Sequence, residues 1–328
     1  MAISTTYNPA ALSARTGQGS AIGNREDLSG LVAMLDAKNT PLLSIASRSK
    51  ATATYHEWIV DKLEDPTNDA VNEGADVTSF SDAFSKVARL GNRTQHFRRD
   101  WRVSKEQEIV NSAGKQDVAR AITKKLAELK RDVEKRFLSD EDLATENGTT
   151  ANAARGLGDW LDSAGPSDVA ADFRTPAGSI LTAAPTEITL NDVIASIFNV
   201  NGDMNNLTLL AGITLRKRVS EFTRTDNNAS ETVYNSVQYT DTKKVTLAVN
   251  IFDSDFGLLN IINGNPRCMP AATRGYVVNP AYVGVATLMP TGTVRLEDQG
   301  GGPRGLVDVA FTLEMRHPQA HGKISVIA

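Results

Sequence analysis

The chain has 328 residues, of which 41% are apolar and 23% charged, and a formal net charge of −4. That balance excludes a dedicated polyanion binder, which carries a strong basic excess, and predicts one large or two moderate globular domains. The single cysteine, Cys268, excludes an intrachain disulfide and a thiolate zinc site, and no run reaches the roughly 20 apolar residues of a membrane-spanning helix.

Residues 1–25 are rich in Ala, Ser, Thr and Gly and read as an extended or disordered arm, not a secretory signal. Leu28, Leu31, Val32 and Leu35 predict a short helix at 26–36, with Pro41 ending it or opening a second turn. Residues 51–103 look extended, and their charges are segregated. Glu57, Asp61, Glu64, Asp65, Asp69, Glu73, Asp76 and Asp82 form an acidic outgoing limb against Lys62 alone. Arg89, Arg93, Arg98, Arg99, Arg102 and Lys105 form a basic returning limb against Asp100 alone. The two limbs can pair in one hairpin or meet opposite limbs of neighbouring subunits.

The basic limb contains "GNRTQHFRRDWRVS", in which arginines surround His96, Phe97 and Trp101. Such interleaving suits a groove for single-stranded nucleic acid. Strand alternation, however, places Phe97, Arg99, Trp101 and Val103 on one face and His96, Arg98, Asp100 and Arg102 on the other. With the acidic limb as counterpart, this reads as a strand with one packed and one charged face.

Ser104, with Gln107 three residues on, predicts a helix start with a capping box, and Gly114 a break. Val118, Ile122, Leu126, Leu129, Val133 and Phe137 recur at steps of four and three, predicting a spine helix at 116–138 covered elsewhere by charged residues, Glu134 among them. Residues 139–185 read as loop, interrupted by a small anchor, "GLGDWLDS". Beyond Pro185, "TLNDVIASIFNV" predicts a helix capped by Thr189 or Asn191, "LTLLAG" a buried strand and "TLRKRVSEF" a further helix. Alternation at 245–252 and at 307–316 predicts two more strands, the last one half-buried.

Catalytic motifs do not emerge. His317 and His321 lie four apart, but Pro318 argues for a turn between strands and against a metal pair on a helix. "GGGPRG" at 300–305 lacks the Lys-Ser/Thr of a phosphate loop and reads as a hairpin tip. "GLGDWLDSAG" fails the dinucleotide spacing, and Cys268 has no histidine in a catalytic context. No catalytic, cofactor or metal site is expected.

Five stretches in order, "TPLLSIASRSKATATYHEW", "GNRTQHFRRDWRVS", "KKLAELKRDVEKRFL", "AARGLGDWL" and "TLEMRHPQAHGKI", resemble the major capsid proteins of tailed bacteriophages. They are most similar to the podophage branch related to the capsid protein of phage SU-ten. The resemblance implies an α+β chain with the Hong Kong 97-type fold. Its parts would be an N-terminal arm at 1–50 and an extended loop at 51–103 lying over an adjacent subunit. A peripheral domain at 104–185, an axial domain at 186–290 and terminal strands at 291–328 returning to the peripheral domain would follow. The implied function is self-assembly, as pentamers and hexamers, into an icosahedral virion shell around double-stranded DNA, built in the bacterial host cytoplasm without a membrane. An encapsulin-like nanocompartment shell is the alternative. Glu57, Asp61, Arg93, Arg98, Arg99, Trp101 and Arg102 are the expected subunit contacts. Charge reversal at Arg98, Arg99 and Arg102 together is expected to impair assembly more than folding. Expected partners are a portal protein and, because the leader is shorter than a scaffold domain of roughly 50 residues, a separate scaffolding protein, with room left for a cement protein.

Overall fold

The stripe of apolar residues at steps of four and three does form one long helix, and a sheet forms against it. The structure is a computed structural model that describes residues 36–109, 117–201, 206–222 and 250–325, and the backbone of 239–240 and 244–245. In chain order, α1 (Pro41–Ile45) and β1 (Ser47–Lys50) precede β2 (Tyr55–Asp61), β3 (Val87–Arg93) and β4 (Gln95–Arg102). Then come α2 (Lys105–Ile109), the spine helix α3 (Asp117–Phe137), α4 (Leu157–Trp160), β5 (Ile180–Leu181), α5 (Glu187–Asn201), β6 (Leu207–Ala211) and α6 (Ile213–Glu221). The remaining strands are β7 (Tyr239–Thr240), β8 (Lys244–Val245), β9 (Ile251–Ser254), β10 (Gly257–Asn263), β11 (Arg274–Val278), β12 (Val283–Leu296), β13 (Arg304–Met315) and β14 (Gly322–Ser325).

Two larger sheets organise the molecule, one four-stranded in the order β1-β12-β13-β4 and one six-stranded in the order β5-β14-β11-β6-β10-β9. Leu129, Val133 and Phe137 of α3 share a core with Phe97, Trp101, Val307 and Val309 of the smaller sheet. Helices α5 and α6 bury Leu190, Ile194, Ile197 and Leu215 with Leu207, Leu209, Val277 and Ile324 of the larger one. Tyr276 joins the two units: its hydroxyl donates to the Leu138 carbonyl at the end of the spine, at 2.8 Å.

Several expectations shift. Residues 51–103, expected as one extended loop, contribute strands to two separate sheets. Among the described residues β2 and β3 pair only with each other, whereas β4 pairs along β13, so "GNRTQHFRRDWRVS" belongs mainly to the sheet on the spine helix. Strand β12 enters the four-stranded sheet from Val283, ahead of the boundary expected at 290, and the last described strand, β14, pairs in the six-stranded sheet. Strand β13 is half-buried only in its first part; from Thr312 to Met315 both faces are covered, with Ser49 of β1 reaching Glu314 and Trp58 at the base of the hairpin reaching the Met315 carbonyl. The helix after Pro185 starts earlier than expected, with Thr186 as its cap exchanging hydrogen bonds with Thr189. The Ser104 hydroxyl does accept from the Gln107 N–H at 3.2 Å, but the Gln107 side chain reaches Asp117 and not back to the cap. The helix expected at 26–36 lies outside the described residues except for Asp36, as do Gly114 and residues 246–249.

Glu134 departs most from the sequence reading. It is fully buried, and its two carboxylate oxygens accept the Leu42 and Leu43 N–H groups, at 2.8 and 3.0 Å. The carboxylate thus fills the role of a cap for α1, fixing the segment ahead of β1 to the spine. Asn265 holds the same segment by donating to the Asn39 carbonyl at 2.8 Å. Burial pushes the Glu134 carboxyl up to about 7, against the pull of the two N–H groups. A carboxyl raised from 4.5 to about 7 by folding favours the folded chain below 4.5, and that contribution is lost as pH rises through 7. Relative to Glu134→Gln, the wild-type chain is expected to lose stability on the order of 3 kcal/mol across that window. Urea denaturation at a series of pH values reads this directly; parallel curves for the two proteins would contradict it.

Candidate assembly surface

Strands β2 and β3 form a narrow hairpin in which Tyr55 faces Arg93 and Asp61 faces Val87. Its base is pinned to the core. The Trp58 indole N–H donates to the Met315 carbonyl at 3.0 Å, and His56 lies 3.6 Å from Glu314. Asn92 is buried and bridges the hairpin to two other segments. Its side-chain amide donates to the Leu313 carbonyl at 2.8 Å, and its oxygen accepts the Arg155 N–H at 2.7 Å. Gly91 has a steric reason: a Cβ there would sit 2.7 Å from the Tyr55 ring.

Beyond the base, residues 62–86 project with hardly any regular pairing. Leu63 is 91% exposed and Phe80 90%, and Val71, Val77 and Phe84 are exposed beside them. Large apolar side chains concentrated on one projecting segment mark a surface that another molecule covers. Glu64, Asp65, Asp69, Glu73, Asp76 and Asp82 accompany them, with Lys62 and Lys86 at the base. Lys86 is 3.3 Å from Asp172, a half-exposed pair that ties the root of the loop to the body.

The expected contact residues separate into two groups. Glu57 and Asp61 are exposed on the outgoing strand, Glu57 lying 3.9 Å from Arg89 across the hairpin. Arg98 and Arg102 are exposed on the outward face of β4. The other three are each engaged within their own chain. Trp101 is only 4% exposed and lies in the core. Arg99 faces inward and grips Asp132 of the spine in a two-pronged pair, at 2.6 and 2.7 Å. Arg93 is half-buried with its guanidinium over the Tyr55 ring, 5.0 Å from the centroid.

Motifs without an expected chemistry find structural roles. Residues 297–303 turn β12 into β13, with Gly300 and Gly302 at φ +96° and +106°. Asp298 accepts both their N–H groups and pairs with Lys105 at 2.9 Å; the Lys105 contact is the main cause holding its carboxyl below the usual range. His317 and His321 flank a turn at Pro318–Ala320. His321 is buried and pushed down to about 3 by that burial, and its Nδ1 accepts the Asn279 N–H. Burial pushes the Cys268 thiol up to about 11, leaving it protonated.

Sequence reasoning missed Arg155. It is 2% exposed, lies over Trp160 at 4.8 Å, and is ringed by Asp142, Asp159 and Asp168 at 2.8 to 3.0 Å. The Arg155–Asp159 spacing of four within "AARGLGDWL" was the available signal.

These features are those of an assembly subunit, and the comparisons agree. The family described as SU10 major capsid protein matches residues 10–328. The chain belongs to that family. Its fold is shared by the structure titled "Capsid structure of the Cyanophage P-SCSP1u", at 11% identity and TM-score 0.60, covering 98% of this chain and 99% of that one. It is shared by the structure titled "Mycobacterium phage Bobi", at 11% identity and TM-score 0.64, covering 94% and 98%. The capsid of a native GTA particle matches at 12% identity and TM-score 0.60, covering 97% and 99%. Curated proteins offer no sequence match. The chain is therefore a major capsid protein with the Hong Kong 97-type fold, a structural component of a phage shell, and the nanocompartment alternative is set aside by the family it belongs to.

The inward and outward arginines of this capsid protein differ in kind. Arg99→Glu is expected to destabilise the dissociated subunit by about 1 kcal/mol or more, because it sets like charges together at Asp132. Arg98→Glu should change stability by less than about 0.5 kcal/mol. Thermal melts of the two single variants separate these outcomes, and equal losses would show that the pair does not matter. The triple reversal therefore mixes a folding defect with an assembly defect.

Proposed function

We propose that this capsid protein assembles as pentamers and hexamers into an icosahedral shell, with residues 62–86 of each subunit lying over an adjacent copy. The observation that carries this reading is the unpartnered loop, with Leu63, Phe80 and Phe84 bare in the isolated chain. Its limbs, each of about a dozen residues, reach roughly 40 Å if extended, enough to cross onto a neighbour. A shell needs many moderate contacts in preference to one strong one, since each copy has several neighbours. In this reading the shell encloses double-stranded DNA without reading its sequence, consistent with a net charge of −4. Assembly takes place in the host cytoplasm, with a portal protein, a separate scaffolding protein and room for a cement protein as partners. Glu57, Asp61, Arg98 and Arg102 remain the contact residues of this reading, being exposed at the hairpin and on β4.

Electron microscopy of the purified chain, alone and with its candidate scaffolding partner, tests the proposal. Closed particles are expected from the wild-type chain under one of these conditions. The double variant Phe80→Asp, Phe84→Asp should keep the melting temperature of the subunit, because both side chains are exposed, yet yield few or no particles. Normal particle yield from that variant would remove the loop from the assembly contact.

A further inference from the structure

The sequence holds three Asn-Gly pairs, at 147–148, 201–202 and 263–264. In such a pair no side chain shields the glycine nitrogen, which can reach the amide carbon of the asparagine before it. Gly202 lies outside the described residues, and the other two pairs are held in opposite ways.

Asn147 and Gly148 are exposed on the loop that the Ala144–Ala153 bridge closes. The Asn147 Oδ1 accepts the Thr149 and Thr150 N–H groups, at 3.1 and 2.8 Å. Two donors on one amide oxygen draw charge from its carbon, and they already face the atom that turns negative when a nucleophile adds there. Gly148 lies beside them at φ +82°, with nothing within 4 Å of where a Cβ would stand. Its N–H has no hydrogen bond among the described residues.

Asn263 and Gly264 are restrained where the first pair is free. Asn263 ends β10, in register with Ala211 of β6. The Gly264 N–H donates to the Ala211 carbonyl at 2.9 Å. Met269 closes the space beside it, 2.7 Å from where a Cβ would stand. The nitrogen that would attack is held in the sheet.

We propose that Asn147 is a self-modification site, where the folded chain converts its own asparagine to isoaspartate and aspartate, while the fold preserves Asn263. The Gly148 nitrogen gives its proton to hydroxide and bonds to the Asn147 Cγ. The Cγ–Nδ2 bond breaks, and ammonia leaves with a proton from water, which regenerates the hydroxide. The cyclic imide then takes up one water and opens at either carbonyl. One opening gives aspartate; the other gives isoaspartate and lengthens the backbone by one methylene. Either product adds a negative charge beside Glu146, so the copies grow chemically heterogeneous at this loop as they age. The step needs only the folded chain and water, and stands apart from the shell reading.

The test incubates the chain, folded and in guanidinium, at mildly alkaline pH in ¹⁸O-water. Digestion and electron-transfer mass spectrometry then separate isoaspartate from aspartate at each site. In the folded chain, product carrying one ¹⁸O and including isoaspartate is expected at position 147, in at least about tenfold excess over position 263. In guanidinium the two sites should react alike, because the sheet no longer holds Gly264. Similar yields at both sites in the folded chain would refute protection by the fold. No product at 147 in the folded chain, or aspartate without isoaspartate, would overturn the site itself. Asn147 should also react faster folded than in guanidinium; an equal or slower rate would remove the activating role of the two N–H groups. Gly148→Ala, which puts a side chain at positive φ in an exposed loop, should suppress the product, and an unchanged yield would sink the imide route.

Discussion

Burial of one helix stripe against one long strand holds the rest of the subunit in place. Leu129, Val133 and Phe137 are sealed in the core they share with Val307 and Val309. Each such side chain contributes about 1.5–3 kcal/mol by leaving water. Strand β13 is paired with β12 on one edge and β4 on the other. It therefore fixes the strand that carries the outward arginines and, through Leu313 to Met315, the base of the projecting hairpin. The loop can be loose because its root is not.

Polar groups then choose among the arrangements that burial alone would allow. Glu134 selects the path of the segment entering β1, and Asn92 fixes the hairpin against β13 and Arg155. Glu314 accepts from Ser49 at 2.5 Å and Arg316 at 2.9 Å, with His56 close by. Burial alone would raise its carboxyl, but Arg316 and Ser49 outweigh that and hold it below the usual range. A buried polar group left without its partner is costly, so each of these contacts penalises a shifted register. Three segments far apart in sequence are thereby held in one relation, and the direction in which the loop leaves the body follows from it.

The spine helix, the buried strand at 207–211 and the hairpin tip at 297–303 were legible because each follows from a local rule: periodicity, an apolar run or glycine at positive φ. The hairpin boundary was not. Charge segregation along 51–103 suggested two limbs of one loop, yet Phe97 and Trp101 belong to a core whose other half lies more than two hundred residues later, at Val307 and Val309. Glu134 was hidden for the same reason. On a helical wheel it is one more charged residue, and only the N–H groups of Leu42 and Leu43, which arrive from elsewhere in the chain, make its burial tolerable. The outward face of β4 was read correctly because alternation is local; the identity of what covers it is not a local property.

The electrostatics of the subunit fit association that is local and correctable. Copies carrying a net charge of −4 repel weakly, and at physiological salt that repulsion is screened beyond about 8 Å. Within that range sign matters by patch: the loop is acidic, and the outward face of β4 and the rim beside it carry unengaged cations. Exposed ion pairs contribute little individually, about 0–1 kcal/mol. Their value lies in rejecting wrong pairings, since loop against loop places like charges together. Exposed Phe80 and Phe84 supply the burial that such pairs lack, but only after approach has been guided. A subunit that carries Leu63, Phe80 and Phe84 bare on an acidic loop separates recognition from adhesion, which lets mistaken contacts dissolve before those side chains commit them.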